Sequence, residues 1–111
     1  MIIAVPTDDG IHISEHFGRC KYFLIAEVSD AVARKELIEN PHNNEEREGA
    51  GHGLVLKLLR ESKVNLVFYT NIGGRMLDNL NSLHIDAQVC GAGSKISDLI
   101  NNIQSSRNIS E

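Results

Sequence analysis

Asn65-Leu66-Val67-Phe68-Tyr69-Thr70-Asn71-Ile72-Gly73-Gly74 is the stretch whose reading decides the fold. Its first half is nearly all apolar. So short an apolar run, rich in β-branched and aromatic residues, reads as a strand covered on both faces. Its second half ends on two adjacent glycines, which mark a tight turn. Met76, Leu77, Leu80 and Leu83 follow at helical spacing. A buried strand, a tight turn and an amphipathic helix make one unit of an α/β sheet.

The same unit recurs toward the C-terminus. Ala87-Gln88-Val89-Cys90 is a short strand, and Gly91-Ala92-Gly93 turns the chain. Ser94 stands where a helix N-cap is needed. Ile96, Leu99, Ile100 and Ile103 then give the clearest helical stripe in the chain. The polar residues 105–111 read as a fraying tail, so the domain spans residues 1–104.

Toward the N-terminus, Leu54, Val55, Leu58 and Leu59 mark a helix that runs to about Ser62. Residues 40–53 before it are polar, with a solvated Glu-rich part and glycines at the end. Ile2–Pro6 is a buried strand, and Asp9-Gly10 marks a turn behind it. Tyr22–Val28 is a second strand. Ser29-Asp30 turns the chain, and Ala33–Glu39 pairs back as a hairpin. Arg34-Lys35-Glu36-Leu37 has good helix propensity, which strand pairing must override.

The order is three strands, then helix, strand, helix, strand, helix. It predicts an α/β fold with a mixed five-stranded sheet and helices on its faces. A hairpin reverses direction, whereas a helical crossover preserves it. The first, third, fourth and fifth strands therefore end on one edge. Open α/β sheets place ligands at such an edge.

The reactive residues gather there. Ser14-Glu15-His16-Phe17-Gly18-Arg19-Cys20 lies in the loop after the first strand, with His12 just before it. His42 and His52 lie in the loop after the third strand, and Cys90 ends the fifth. Only His84 falls on the opposite edge. The Ser14–Cys20 loop packs an imidazole, a thiol, a guanidinium and a carboxylate into one short stretch.

Composition narrows the function. Of 111 residues, 41% are apolar and 23% charged, as in a globular domain able to bury a core. The net charge of −4 and the lack of a basic stripe argue against nucleic acid as a partner. No apolar run spans a bilayer, and the N-terminus reads as a strand and not as a signal peptide. The two cysteines form no Cys-x-x-Cys pair, so the default is two reduced thiols in a cytoplasmic monomer.

Ile2-Ile3-Ala4-Val5-Pro6-Thr7-Asp8-Asp9-Gly10, followed by Ser14-Glu15-His16-Phe17-Gly18-Arg19-Cys20-Lys21-Tyr22-Phe23, resembles the dinitrogenase iron–molybdenum cofactor biosynthesis family. That family includes carriers of the NifX and NafY type and the C-terminal region of NifB. Gly49-Ala50-Gly51-His52-Gly53 and Val67-Phe68-Tyr69-Thr70-Asn71-Ile72-Gly73-Gly74-Arg75 also fit, and the resemblance covers nearly the whole chain. It implies a ribonuclease-H-like fold with sheet order 3-2-1-4-5. It also implies transient binding of an iron–sulfur or iron–molybdenum cluster between donor and acceptor proteins, with no turnover. This chain is a minimal single domain beside the larger carriers.

Under that resemblance His16 is the leading metal ligand, because a neutral imidazole on a loop leaves coordination positions open. The alternative is a histidine bonded to backbone. Cys20 is a soft ligand suited to iron–sulfur chemistry, or a small buried hydrophobe at the start of the second strand. Cys90 has the same two readings. His52 is a further candidate ligand beside a helix N-terminus, which attracts anions. Arg19 can pair with cluster charge. Gly73, Gly74, Gly91 and Gly93 can offer backbone amides to an anion, or are simply tight turns. Phe17 should anchor the loop, and Gly18 should supply a positive backbone angle.

Two other functions compete. A small anionic ligand could sit at the glycine turns of a regulatory module. A metal-dependent nuclease could use Asp8, Asp9 and Glu15, but the strands read as Ile2–Pro6, Asn65–Tyr69 and Ala87–Cys90 hold no acidic residue to complete its carboxylate set.

Overall fold

The computed structural model describes residues 1–41 and 50–109, with side chains described over 1–41 and 53–105. The elements are β1 (Ile2–Thr7), β2 (Tyr22–Val28), β3 (Val32–Glu39), α1 (Ala50–Glu61), β4 (Leu66–Tyr69), α2 (Gly74–Ser82), β5 (Asp86–Val89) and α3 (Ile96–Ile109). The five strands form one sheet in the order β3-β2-β1-β4-β5. β2 is antiparallel to both β1 and β3, while β4 is parallel to β1 and to β5. The expected mixed sheet is present, and the C-terminal ends of β1, β3, β4 and β5 share one edge.

Strand alternation builds two cores. Ala4, Phe23, Ile25 and Val67 face Val55 and Leu59 of α1 and Met76 and Leu80 of α2. Ile3, Val5, Leu24 and Phe68 face Ile96, Leu99 and Ile100 of α3. Val67 and Phe68 are adjacent in β4 and lie in opposite cores. This is the two-sided burial that the apolar run required. β3 is a strand despite its helix-forming sequence, because a register from Glu39 against Tyr22 to Arg34 against Glu27 holds it to β2.

Several local expectations change. α1 begins at Ala50, so Gly51, His52 and Gly53 form its first turn and do not approach it as a loop. Glycine disfavours helix by about 1 kcal/mol per residue. Burial of Val55 and Leu59 at 0% exposure holds the helix regardless. Ser94 does not cap α3. Its hydroxyl donates to the Gly91 carbonyl at 2.7 Å and closes the turn after β5. The Lys95 carbonyl instead accepts from the Asp98 and Leu99 amides. α3 continues past residue 104 to Ile109, since neither Pro nor Gly interrupts it. His42 and the run Glu45–Glu48 lie outside the described residues.

Candidate functional site

The long connection between β1 and β2 is built from its own polar side chains. Asp9 Oδ1 accepts from the Ile11 and His12 amides, each at 2.8 Å. Its Oδ2 lies 2.8 Å from His12 Nδ1, which must carry the proton, because an ionised carboxylate only accepts. The His12 amide and ring and the Ile11 amide hold the Asp9 carboxyl well below the usual carboxylate range. Thr7 Oγ1 donates to the His12 carbonyl at 2.6 Å and accepts from the Gly10 amide at 2.9 Å. Gly10, at φ +80°, supplies the left-handed corner. Asp8 Oδ1 receives the Lys21 amide at 2.9 Å, across the neck of the loop. These carboxylates shape the loop.

The loop then crosses both neighbouring turns. On the α3 side, the Ile13 amide donates to the Ser94 carbonyl and the Ile96 amide to the Ile11 carbonyl, both at 2.8 Å. The chain returns to β1, where the Ser14 amide donates to the Pro6 carbonyl at 2.8 Å. It next reaches the turn after β4. The Asn71 amide donates to the Glu15 carbonyl at 3.2 Å, and the Phe17 amide to the Asn71 carbonyl at 3.3 Å. These two bonds bracket His16 and fix its backbone over the junction of β1 and β4. The Ser14 hydroxyl also accepts from the His16 amide at 3.3 Å.

Phe17 turns inward and is 2% exposed, its ring 5.3 Å from that of Phe23 in edge contact. It is the expected anchor. Gly18 does not have the expected positive φ; among the described glycines only Gly10 and Gly93 do. A Cβ added at Gly18 or Gly73 would meet no atom within 4 Å. Both positions face open space.

That space is a pocket of about 360 Å³, lined by His16, Phe17, Gly18, Arg19, Asn71, Ile72, Gly73 and Met76. His16 and Arg19 are exposed, whereas Met76 is buried. One wall is the start of α2. Gly73 is the N-cap, no side chain caps the helix, and no acidic residue stands in its first turn. The first amides of such a helix carry partial positive charge. Among the described residues no carboxylate forms an ion pair with Arg19 or Arg75. The pocket therefore offers one imidazole, one guanidinium and a helix N-terminus, a setting suited to an anion that also takes a nitrogen ligand.

The other candidates lie elsewhere. Cys20 is 0% exposed on the core side of the loop. Its thiol donates to the Phe17 carbonyl at 3.4 Å, and burial pushes its pKa up to about 12. Gly74 is the first residue of α2, next to the pocket wall. Gly91 and Gly93 form the separate turn after β5, beside the Ile11–Ile13 crossing. Cys90 follows β5, half-buried, with its thiol donating to the Tyr69 carbonyl at 3.7 Å; burial raises its pKa as well. His52 lies in the first turn of α1, and its side chain is outside those described. Among the described residues no three His, Cys, Asp or Glu side chains group to hold a metal ion.

In the sequence Asn71, Ile72 and Met76 read only as part of a turn or a helix stripe, and Asn40 is not marked as a site residue. Asn40 is 0% exposed, and its amide nitrogen donates to the Cys20 carbonyl at 2.9 Å and the Gly18 carbonyl at 3.3 Å. It ties the end of β3 to the pocket loop. The one available signal was an Asn placed between a strand and a proline.

Residues 1–106 match the family described as dinitrogenase iron-molybdenum cofactor. The chain belongs to this family. It is 36% identical over 90 residues to uncharacterized protein MJ0580 of Methanocaldococcus jannaschii, covering 78% of this chain and 71% of that one. Among solved structures it is similar to PH0822, with TM-score 0.78 and 27% identity over 96% of this chain and 92% of the other. It also shares its fold with the apo form of the orange protein from Desulfovibrio gigas. There the TM-score is 0.78 at 14% identity, over 95% and 88% of the two chains. No helix among the described residues is long and apolar enough to cross a membrane.

Proposed function

We propose that this chain is a non-catalytic accessory protein that transiently holds an iron–sulfur or iron–molybdenum type cluster as cargo during metallocofactor assembly. One observation carries the reading. His16, Arg19 and the uncapped start of α2 at Gly73 line a single open pocket at the β1–β4 edge. That combination suits a metallocluster with net negative charge. The imidazole ligates a metal atom, and the guanidinium and helix amides neutralise charge. The family description supports cofactor association.

The pocket is open and contributes few ligands, so much of the cluster would stay exposed. That suits uptake from a donor protein and release to an acceptor in the cytoplasm. In this reading the Cys20 thiol belongs to the core. A metal takes an accessible thiolate, and this thiol is 0% exposed, with burial raising its pKa further. His52, at the start of α1, remains a candidate second ligand.

The test is an anaerobic titration of the protein with iron, sulfide and molybdate, followed by visible absorption and metal count. Stoichiometric colour is expected, lost in His16→Ala and weakened in Arg19→Ala. The Cys20→Ser variant should still bind. No colour with folded wild-type protein would sink the carrier reading. The uncapped Gly73–Gly74 wall would then favour the second reading, a regulatory module for a small anionic ligand.

A further inference from the structure

β3 lies at the end of the sheet, with no strand on its far side among the described residues. Every residue from Val32 to Leu37 is exposed, as is Glu39, and only Ile38 is half-buried. The direction of its backbone groups follows from one bond. The Asn40 amide donates to the Lys21 carbonyl at 2.9 Å, so Asn40, Ile38 and Glu36 point their amides and carbonyls toward β2. Lys35, Leu37 and Glu39 therefore point theirs outward, ready to pair.

These three residues also share a face. Leu37 stands opposite Leu24 and Lys35 opposite Ala26, both in the α3-side core. Leu37 is 47% exposed, a large apolar side chain set between a cation and an anion. Charged residues on an edge strand ordinarily repel another strand. Here the order Lys35-Glu36-Leu37-Ile38-Glu39 is complementary to itself when reversed.

We infer that the outer edge of β3 is a docking surface for a second copy of this chain. The two β3 strands pair antiparallel about a two-fold axis through Leu37. Leu37 then faces Leu37, and Lys35 of each copy faces Glu39 of the other, twice. Such a pairing makes about six backbone hydrogen bonds. It closes on itself, as an isologous interface must. Other registers are worse. An axis at Lys35 sets that cation against itself, and an axis at Glu36 or Glu39 opposes two carboxylates. The bulge where the register shifts beside Val28 ends the pairing on one side, and Pro41, with no amide hydrogen, ends it on the other. The five-stranded sheet is thereby doubled. The pocket stays open, because it lies at the junction of β1 and β4, inside the sheet. A dimer of this kind would stand in place of the monomer expected from the sequence.

Sedimentation equilibrium of the whole chain over a wide concentration range tests this. The wild type should pass from monomer to dimer, and added salt should weaken the dimer. Lys35→Glu or Glu39→Lys each sets like charges opposite one another in two places and should weaken the dimer about tenfold. The double variant Lys35→Glu/Glu39→Lys restores both pairs with sign reversed and should recover wild-type association. These exposed substitutions leave the fold intact, which circular dichroism checks. A wild type that stays monomeric at millimolar concentration overturns the proposal and leaves the edge to some other chain. A double variant no better than the singles also overturns it.

Discussion

At the scale of single residues, the sharpest contrast is between two residues of one loop with opposite environments. His16 stands exposed on the pocket, and Cys20 is sealed beneath it. The Cys20 thiol lies between the Phe17 carbonyl and the Asn40 amide, with the thiol donating to the first and receiving from the second at 3.7 Å. Burial, the largest cause, lifts its pKa from 9.0 to about 12. Two consequences follow at this scale. Native Cys20 should resist alkylation at pH 8 while half-buried Cys90 reacts first, and unfolding should release Cys20. The pH dependence has a definite sign. A pKa raised by folding gives stability that is complete below pH 9 and lost as pH rises toward about 12. Denaturant midpoints of wild type and Cys20→Ala across that range check it; the alkaline decline should be shallower in the variant. A native Cys20 alkylated as fast as a free thiol would remove it from the core.

At the scale of elements, the connection from Thr7 to Tyr22 has no helix or strand of its own, yet the Asp9 and Thr7 side chains hydrogen-bond its turn together. Asp9→Ala removes the acceptor of two amides and the partner of the His12 ring. Amide hydrogen exchange at Ile11 and His12 should quicken in that variant, while exchange in β1 and β2 stays as in wild type. Acid should act on the same contacts. Folding lowers the Asp9 pKa, so its contribution is present above 3.8 and fades as pH falls below that value. Unchanged exchange in Asp9→Ala would mean that the crossings at Ser94 and Asn71 alone hold the loop. Elements of this kind also mark what could be read from sequence. The strands and helices were legible because burial repeats every two residues or every three to four. The hairpin of β2 and β3 was legible from its turn. Ser94 and Gly18 were misread because a cap and a positive φ depend on local torsions that composition only suggests. The start of α1 was misread because packing of Val55 and Leu59 outweighed the glycine propensity of its first turn. Asn40 and Asn71 were illegible as loop supports, since each meets the pocket loop only after distant strands pair.

At the scale of the whole molecule, the sheet separates an open rim, where the proposed site lies, from a core that holds the rim in place. His16 and Phe17 are adjacent and sit on the two sides of that division. His16 is exposed, and its side chain is not in the core; His16→Ala should change stability by no more than about 0.5 kcal/mol. Phe17 is 2% exposed and packs on Phe23, within the core that also holds Cys20 and Met76. Phe17→Ala should destabilise by about 3–5 kcal/mol, through lost burial and the cavity left behind. That is a large part of the total stability of a small domain, so Phe17→Leu, which keeps an apolar side chain there, is the companion variant. Urea unfolding of the three variants, set beside their metal titrations, separates the roles. His16→Ala should lose the colour with its unfolding midpoint unmoved. Phe17→Leu should lose stability and keep the colour, because the two backbone bonds to Asn71 still hold His16 over the pocket. If Phe17→Leu also abolished binding at a concentration where it remains folded, the bonds to Asn71 would be insufficient to place His16. The position of the imidazole would then depend on the packing of Phe17 against Phe23, and the rim and the core would act as one unit.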